Sequence, residues 1–457
     1  MEKENKLYFH GGLLGAWIPM ITFVVIMITA ALTGHISLMV FAAGAFVAVC
    51  TGFILSKDKK EFDNAVIDGV GDHMLATMTV AFIMAGILSQ LLRQSGLIQG
   101  LIWLSSQLHL NANFLPVITF ITCVLISTAC GTTGGTCAAV TPIMLPLAVG
   151  FGCNPGLIVG AIMSGSIFGD NLAPISDTTI ASAMTQETDV SSVVKTRLPY
   201  SIISGVGASL LYIYFGFRTL NAEAVMTQVD ASKAPSLVML ILPVIMAFLM
   251  TKGVGLVSTM LVCNMLGIAL NLALGLIPFS TMISADGPVV AGISGMAGLI
   301  LFCIMLFAVL ELTKRSGAFD QLISGIHSKC DTPQKAELAS AGMTIFGMIA
   351  IAASTANIII VGPFVRQLTK KFHIARTRGA NITDGLSTAF GGIVPYNSSF
   401  LLCMSLAAAS GVVADTFSFR EVLPYCFHSY GLIILYVGSA LTGIGRKFEN
   451  SGASETN

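Results

Sequence analysis

Apolar stretches long enough to cross a lipid bilayer recur along the whole chain, near residues 12–33, 37–55, 68–92, 155–186, 198–218, 236–251, 254–277, 289–312, 380–411 and 422–443. A run of roughly 17–25 such residues is stable as a helix in hydrocarbon, where only a helix or a closed barrel satisfies every backbone polar group internally. Composition agrees: 54% of residues are hydrophobic and 10% charged, against about 25% charged in a soluble domain. The spacing therefore predicts an all-α polytopic membrane protein with about ten transmembrane helices.

Two more apolar regions, 114–150 and 340–365, have polar middles, STACGTTGGT at 127–136 and STAN at 354–357. Their arms read as short for full spans, which predicts re-entrant hairpins with tips at membrane depth. The first apolar run, over 11–33, is too long for a signal-peptide core and reads as a retained helix.

With the N-terminus placed inside, only Arg93, Arg218, Lys233 and Arg420 of the 23 basic residues fall outside. Arg197, Arg366 and Arg378 are counted with the cytoplasmic loops, and both termini are expected to be cytoplasmic, in the cell (inner) membrane. Net charge is +0, so no nucleic-acid partner is implied. The ten cysteines lack any C-x-x-C pair and read as small buried apolar residues. No Ser–His or G-x-G-D set points to an enzyme, and no cofactor is expected.

The chain repeats itself weakly at an offset of about 221–225 residues. ILSQLLRQSGLIQGLI (87–102) matches VLELTKRSGAFDQLI (309–323), FGDNLAPISDT (168–178) matches FGGIVPYNSSF (390–400), and TRLPYSII (196–203) matches REVLPYCF (420–427). An odd number of crossings in the offset predicts two halves inverted in the membrane, at 1–220 and 236–445, with a linker at 221–235 and a tail at 446–457. Residues 97–110 read as an amphipathic connector along the interface. Inverted repeats with paired broken helices place a binding site at the midplane.

Within the first half, GSIFGDNLAPISDTTIASAM (165–184) carries two acids, Asp170 and Asp177, on either side of Pro174. Proline removes a backbone donor and clashes with the turn before it, so the helix is expected to break between the acids. Intramembrane carboxylates mark an ion or substrate pathway by default. Candidate cation ligands are Asp170, Asn171, Ser176, Asp177 and Thr178 at the break, with Ser127, Thr128, Thr132 and Thr133 at the first hairpin tip. Hard oxygen donors of this kind suit a small cation that has shed water. Asp177 or Ser176 equally suits an N-cap, and Ser and Thr also bond their own helix carbonyls. Ser354, Thr355, Asn357, Tyr396, Asn397, Ser398 and Ser399 are the second-half counterparts, suited to a neutral or zwitterionic cargo or to a structural mirror. At these tips and breaks acids occur only in the first half, so cation binding is expected to be asymmetric and weighted to the first half. Glu311, ahead of Lys314 and Arg315, reads as an interfacial ion pair, and Asp68, Asp72 and His73 as solvated.

The segment GDNLAPISDTT (169–179) resembles the signature of the NhaC-type sodium/proton antiporter family, similar in architecture to the ion-transporter superfamily of inverted-repeat carriers with paired hairpins. The resemblance implies a secondary transporter with Asp170, Asn171, Ser176, Asp177 and Thr178 in or near the cation site, holding Na⁺ at Asp170 and Asp177, and, by analogy, a homodimer. Burial favours a carboxylate's protonated form and a bound cation its ionised form. Na⁺ and H⁺ would therefore compete for one group, with antiport the expected outcome. Similar proteins include exchangers of malate for lactate and carriers of amino acids, so sodium- or proton-coupled transport of a small organic acid or amino acid is the alternative.

Overall fold

The computed structural model describes residues 6–33, 38–97, 99–100, 103–104, 111–174, 176–221, 231–252, 254–318, 330–414 and 416–449. Regular structure there is helical, apart from two isolated antiparallel bridges, Phe9 with Ser56 and Ile374 with Phe448. Most of the 97–110 connector, residues 222–230 of the linker and residues 450–457 of the tail lie outside the described residues.

Among the described residues, five helical stretches are long and apolar enough to cross a bilayer: Lys59–Gln94 (itself two helices joined at Gly71 and Asp72), Thr133–Gly150, Val190–Thr219, Leu256–Ala273 and Pro288–Arg315. Two bent pairs, Pro155–Leu172 with Asp177–Thr185 (45°) and Phe419–Tyr425 with Phe427–Thr442 (56°), raise the number to seven. Shorter apolar helices, Gly12–Met27, Met39–Leu55, Ala231–Met246 and Ser398–Ala409, lie on the remaining apolar stretches of the sequence, and residues 380–411 are two helices, as a broken span requires.

The chain forms two compact units, residues 1–82 with 295–329 and residues 83–294 with 330–457. They cut across the halves of the sequence repeat. The smaller unit contains α1 (Gly12–Thr33), α2 (Leu38–Leu55), α3 (Lys59–Val70) and the beginning of α4 (His73–Gln94). Its apolar core gathers Leu7, Phe9, Ala16, Phe62, Ala65, Leu312 and Ala318. Glu311 pairs with Lys314 and Arg315 at 3.0 Å each, as the i,i+3 and i,i+4 spacing requires. Arg315 also reaches Asp68, so Asp68 is an ion-pair partner and not merely a solvated charge.

The larger unit holds α5 (Leu115–Cys130), α6 (Thr133–Gly150), α7 (Pro155–Leu172), α8 (Asp177–Thr185), α9 (Val190–Thr219), α10 (Ile241–Thr251) and α11 (Leu256–Ala273). The division between units falls again inside α12 (Pro288–Arg315), and the larger unit resumes with α13 (Pro333–Ile351), α14 (Ser354–Lys371), α15 (Arg376–Gly391), α16 (Ser398–Ala409) and α17 (Phe427–Thr442).

Both candidate hairpins are present as helix pairs joined by two residues. The link between α5 and α6 is Gly131 in the left-handed region (φ 68°) followed by extended Thr132, and that between α13 and α14 is left-handed Ala352 (φ 56°) followed by extended Ala353. A left-handed residue ends the first helix and an extended one starts the next, so the chain turns sharply in two residues. The arms are 16, 18, 19 and 18 residues long, longer than their hydropathy suggests. Both candidate breaks are present as well. Ala173, ahead of Pro174, is extended (ψ 122°) and ends α7, because a residue before proline is driven out of the helical region.

Packing is closest where side chains are absent. A Cβ on Gly169 would stand 2.4 Å from the Thr128 backbone nitrogen and 2.5 Å from Ser127 Cβ, so this glycine is what brings α7 against the end of α5. The half-helices are exchanged: α8, from the first break, packs on α14 and α15, and α16, from the second, packs on α6 and α7.

Candidate functional site

Asp170 lies in the last turn of α7, 6% exposed. One carboxylate oxygen accepts from the Thr133 hydroxyl (2.6 Å) and backbone N–H (3.2 Å) at the start of α6, the other from the Ser176 hydroxyl (2.7 Å) across the break. Its charged neighbours are two further aspartates, Asp177 and Asp384, and no basic side chain pairs with it among the described residues. The helix macrodipole disfavours a carboxylate at this end and favours a cation.

Ser176 occupies the N-cap position of α8, yet its hydroxyl bonds Asp170 and lies 3.0 Å from the Thr178 hydroxyl instead of capping the helix. Asp177 is the first residue of α8 and is exposed, so it is not the cap either. One of its oxygens takes the Thr178 N–H (3.1 Å), the other the Thr355 hydroxyl (2.8 Å). The four polar ends thus meet. The first hairpin tip reaches the first break through Thr133, and the second tip reaches it through Thr355. Gly134 at the first tip faces Ser399, whose hydroxyl is 3.7 Å from where a Cβ would stand.

Other candidates are placed elsewhere. Thr128 is exposed and bonds the Val124 carbonyl one turn back (2.7 Å). Ser127 bonds the Ser166 carbonyl (2.6 Å), fastening α5 to α7, and Thr132 caps α6 by accepting from the Gly135 N–H (3.4 Å). Among the second-half residues, Tyr396 donates to the Ile349 carbonyl (2.5 Å) and Asn397 to the Ala352 carbonyl (3.0 Å), both at the end of α13. Asn397 also caps α16 at the Ser399 N–H (3.0 Å), Ser354 bonds the Ser387 carbonyl (3.3 Å), and Asn357 is buried on Thr344 and Ser387. Ser398 opens α16 at the position Asp177 holds in α8. Carbonyls orphaned at a helix end need partners, and Tyr396 and Asn397 provide them at the end of α13.

Two residues are central that the sequence reading set aside. Arg197 is fully buried, not in a loop, and its guanidinium lies 2.7 Å from Asp384, also fully buried. The same guanidinium donates to the Asn171 carbonyl (2.7 Å) and carboxamide oxygen (3.0 Å), to Thr179 (3.2 Å) and to Asn381 (3.3 Å). Asn171 therefore faces Arg197 and not Asp170. Ser182 donates to Asp384 (3.1 Å), and the Thr178 hydroxyl faces the same carboxylate. Hydroxyls thereby run from Asp170 through Ser176 and Thr178 to Asp384. The second Asp384 oxygen and the Asn171 amide nitrogen are buried without a hydrogen-bond partner among the described residues. Acids are thus buried in both halves, although at the tips and breaks themselves they occur only in the first. Glu337 is a further one, between Arg378 (2.9 Å) and Arg446 (2.9 Å). Arg366, also counted with the cytoplasmic loops, is 9% exposed and bonds Glu187 (2.9 Å) in the loop after α8. That bond, together with Arg366's charge, holds the Glu187 carboxyl below its ordinary range. The visible signal for Asp384 was a T-D-G inside the stretch 380–411.

A buried acid held by hydroxyls beside a broken helix can take up a proton or a small cation. A model of the Na⁺/H⁺ antiporter family matches residues 10–217 and 219–441. The chain belongs to this family. It is 23% identical over 415 residues to the malate-2H⁺/Na⁺-lactate antiporter of Bacillus subtilis, covering 86% of each chain. It is 20% identical over 471 residues to the Na⁺/H⁺ antiporter NhaC of Alkalihalophilus pseudofirmus, covering 98% of each. The arginine/ornithine antiporter ArcD of Halobacterium salinarum is 23% identical over 415 residues, with 83% of this chain and 81% of ArcD covered. This family member is a multi-pass membrane transporter.

Proposed function

We propose that this antiporter exchanges Na⁺ for H⁺ by alternating access, with the two cations competing for Asp170. One observation carries the reading: a buried carboxylate receives three hydrogen bonds and has no basic partner among the described residues. A charge withdrawn from water has to be neutralised. The available neutralisers here are a proton or a small cation ringed by the Thr133, Ser176 and Thr178 oxygens. Asp177 stands at the approach, and Asp384, already compensated by Arg197, completes the hydroxyl chain.

Na⁺ is cargo, and the reading includes no resident cofactor. The halves at 1–220 and 236–445 are read as inverted repeats, supported by the matching left-handed/extended links and the exchanged half-helices. An inner-membrane location with both termini cytoplasmic and a homodimeric assembly complete the proposal.

Reconstituted protein is expected to dissipate an imposed proton gradient when Na⁺ is added, and Asp170→Asn is expected not to. Retention of the response by that variant removes Asp170 from the mechanism. The malate/lactate and arginine/ornithine relatives favour a second reading, coupled exchange of a small organic solute. Stabilisation by one such solute only when Na⁺ is present, read by thermal shift, selects it.

A further inference from the structure

Away from the aspartates, α9, α15 and α17 enclose a cavity of about 780 Å³. Helices α9 and α17 run antiparallel along it: Ser204 bonds the His428 carbonyl (2.8 Å), and Tyr200 stacks on Tyr436 and meets Ser439 (3.1 Å). Lys195 on α9 therefore lies at the same end as Lys447 beyond α17, and Ile203 at the same end as Ile434. The charge in the lining is polarised along the helices, with two lysines, Thr196, Thr377 and the exposed Ile444 at one end and the uncharged Ile203, Ile434 and Leu435 at the other. Lys195 and Ile203 are separated by roughly 12 Å of helix rise.

The acids near the polar end are already engaged. Glu337 is held by Arg378 and Arg446, Glu449 by Arg376, and Asp189 caps α9 at the Ser192 N–H (2.8 Å). Lys195 and Lys447 are exposed and make no ion pair among the described residues. At the other end, Ile203 (60%) and Ile434 (70%) present apolar surface outward, as on a wall open to acyl chains.

We propose that this cavity binds an anionic phospholipid, with its phosphate between Lys195 and Lys447 and an acyl chain against Ile203, Ile434 and Leu435. Two exposed lysines outside any ion pair, with the capping Asp189 the acid near Lys195, favour an anionic headgroup over a zwitterionic one, and the apolar end distinguishes a lipid from a free anion. Asn381, on the inner wall, bonds Thr196 (2.8 Å) and Arg197 (3.3 Å), so the lipid would brace the helices that hold Arg197.

The test uses full-length protein purified from mixed phosphatidylglycerol/phosphatidylcholine vesicles, with retained lipid counted by native mass spectrometry. Wild type is expected to retain phosphatidylglycerol selectively. A Lys195→Ala/Lys447→Ala variant should lose that retention at least tenfold, and the Lys195→Arg/Lys447→Arg variant should restore it, which excludes misfolding as the cause. Leu435→Gln should weaken retention as well. Equal retention of both lipids, or retention unchanged in the alanine variant, overturns the proposal. Full displacement of the lipid by millimolar glycerol 3-phosphate also overturns it and marks a free-anion site.

Discussion

The two helix breaks are built alike and used differently. At the first, the helix ends in a turn carrying Asp170, and the hydroxyls around it point at that carboxylate. At the second, FGG stands where the first has FGD, and Tyr396 and Asn397 turn back to the carbonyls of α13. A side chain at Gly392 would begin 2.2 Å from Ile167 Cδ1 and 2.3 Å from the Ser429 hydroxyl, so both neighbours would have to move to admit a counterpart of Asp170. The second half contributes its acid about two helix turns deeper, as Asp384, and delivers it already paired. The two regions separate an open carboxylate from a compensated one.

The largest expected effect breaks the compensated side. Asp384→Ala leaves the Arg197 guanidinium buried and unpaired, a change worth about 3–5 kcal/mol of stability. Thermal unfolding in detergent should show a marked loss, whereas the exposed Asp177→Asn should stay within about 0.5 kcal/mol of wild type. An equal effect of the two would remove the distinction between them. Next in size, Thr133→Val deletes a hydroxyl donated to a carboxylate, an interaction worth roughly 1.5–3 kcal/mol. The Na⁺ concentration for half-maximal exchange should shift by roughly tenfold or more, since about 1.4 kcal/mol is a factor of ten. Ser399→Ala, on the other side, should leave it unchanged. Smallest is Asn397→Ala, which removes the cap of α16 at a cost of about 1 kcal/mol. Stability should fall slightly with Na⁺ dependence intact, and a change in Na⁺ dependence would place cargo at the second break.

Local chemistry made the convergence of tips and breaks legible in the sequence. Proline after Ala173, glycine at 131 and clustered hydroxyls each dictate a backbone event within a few residues, and the repeat brings their counterparts along. The Arg197–Asp384 pair was not legible, because its partners are 187 residues apart (384 − 197) and counting charges by side treated Arg197 as a loop residue. The role of the second-half amides was open in the sequence for a related reason. A polar side chain at a helix break reads the same whether it serves cargo or an orphaned carbonyl, and only the three-dimensional placement of the end of α13 distinguishes the two.

Arg197 holds the Asn171 carbonyl at the end of α7, Asp384 in α15 and Thr179 in α8 with a single planar group. A guanidinium so placed works as a rivet through three plates. Any rearrangement that switches access from one face of the membrane to the other must carry these helices together as one rigid block, or else shear the rivet and strand its charge in a dry interior.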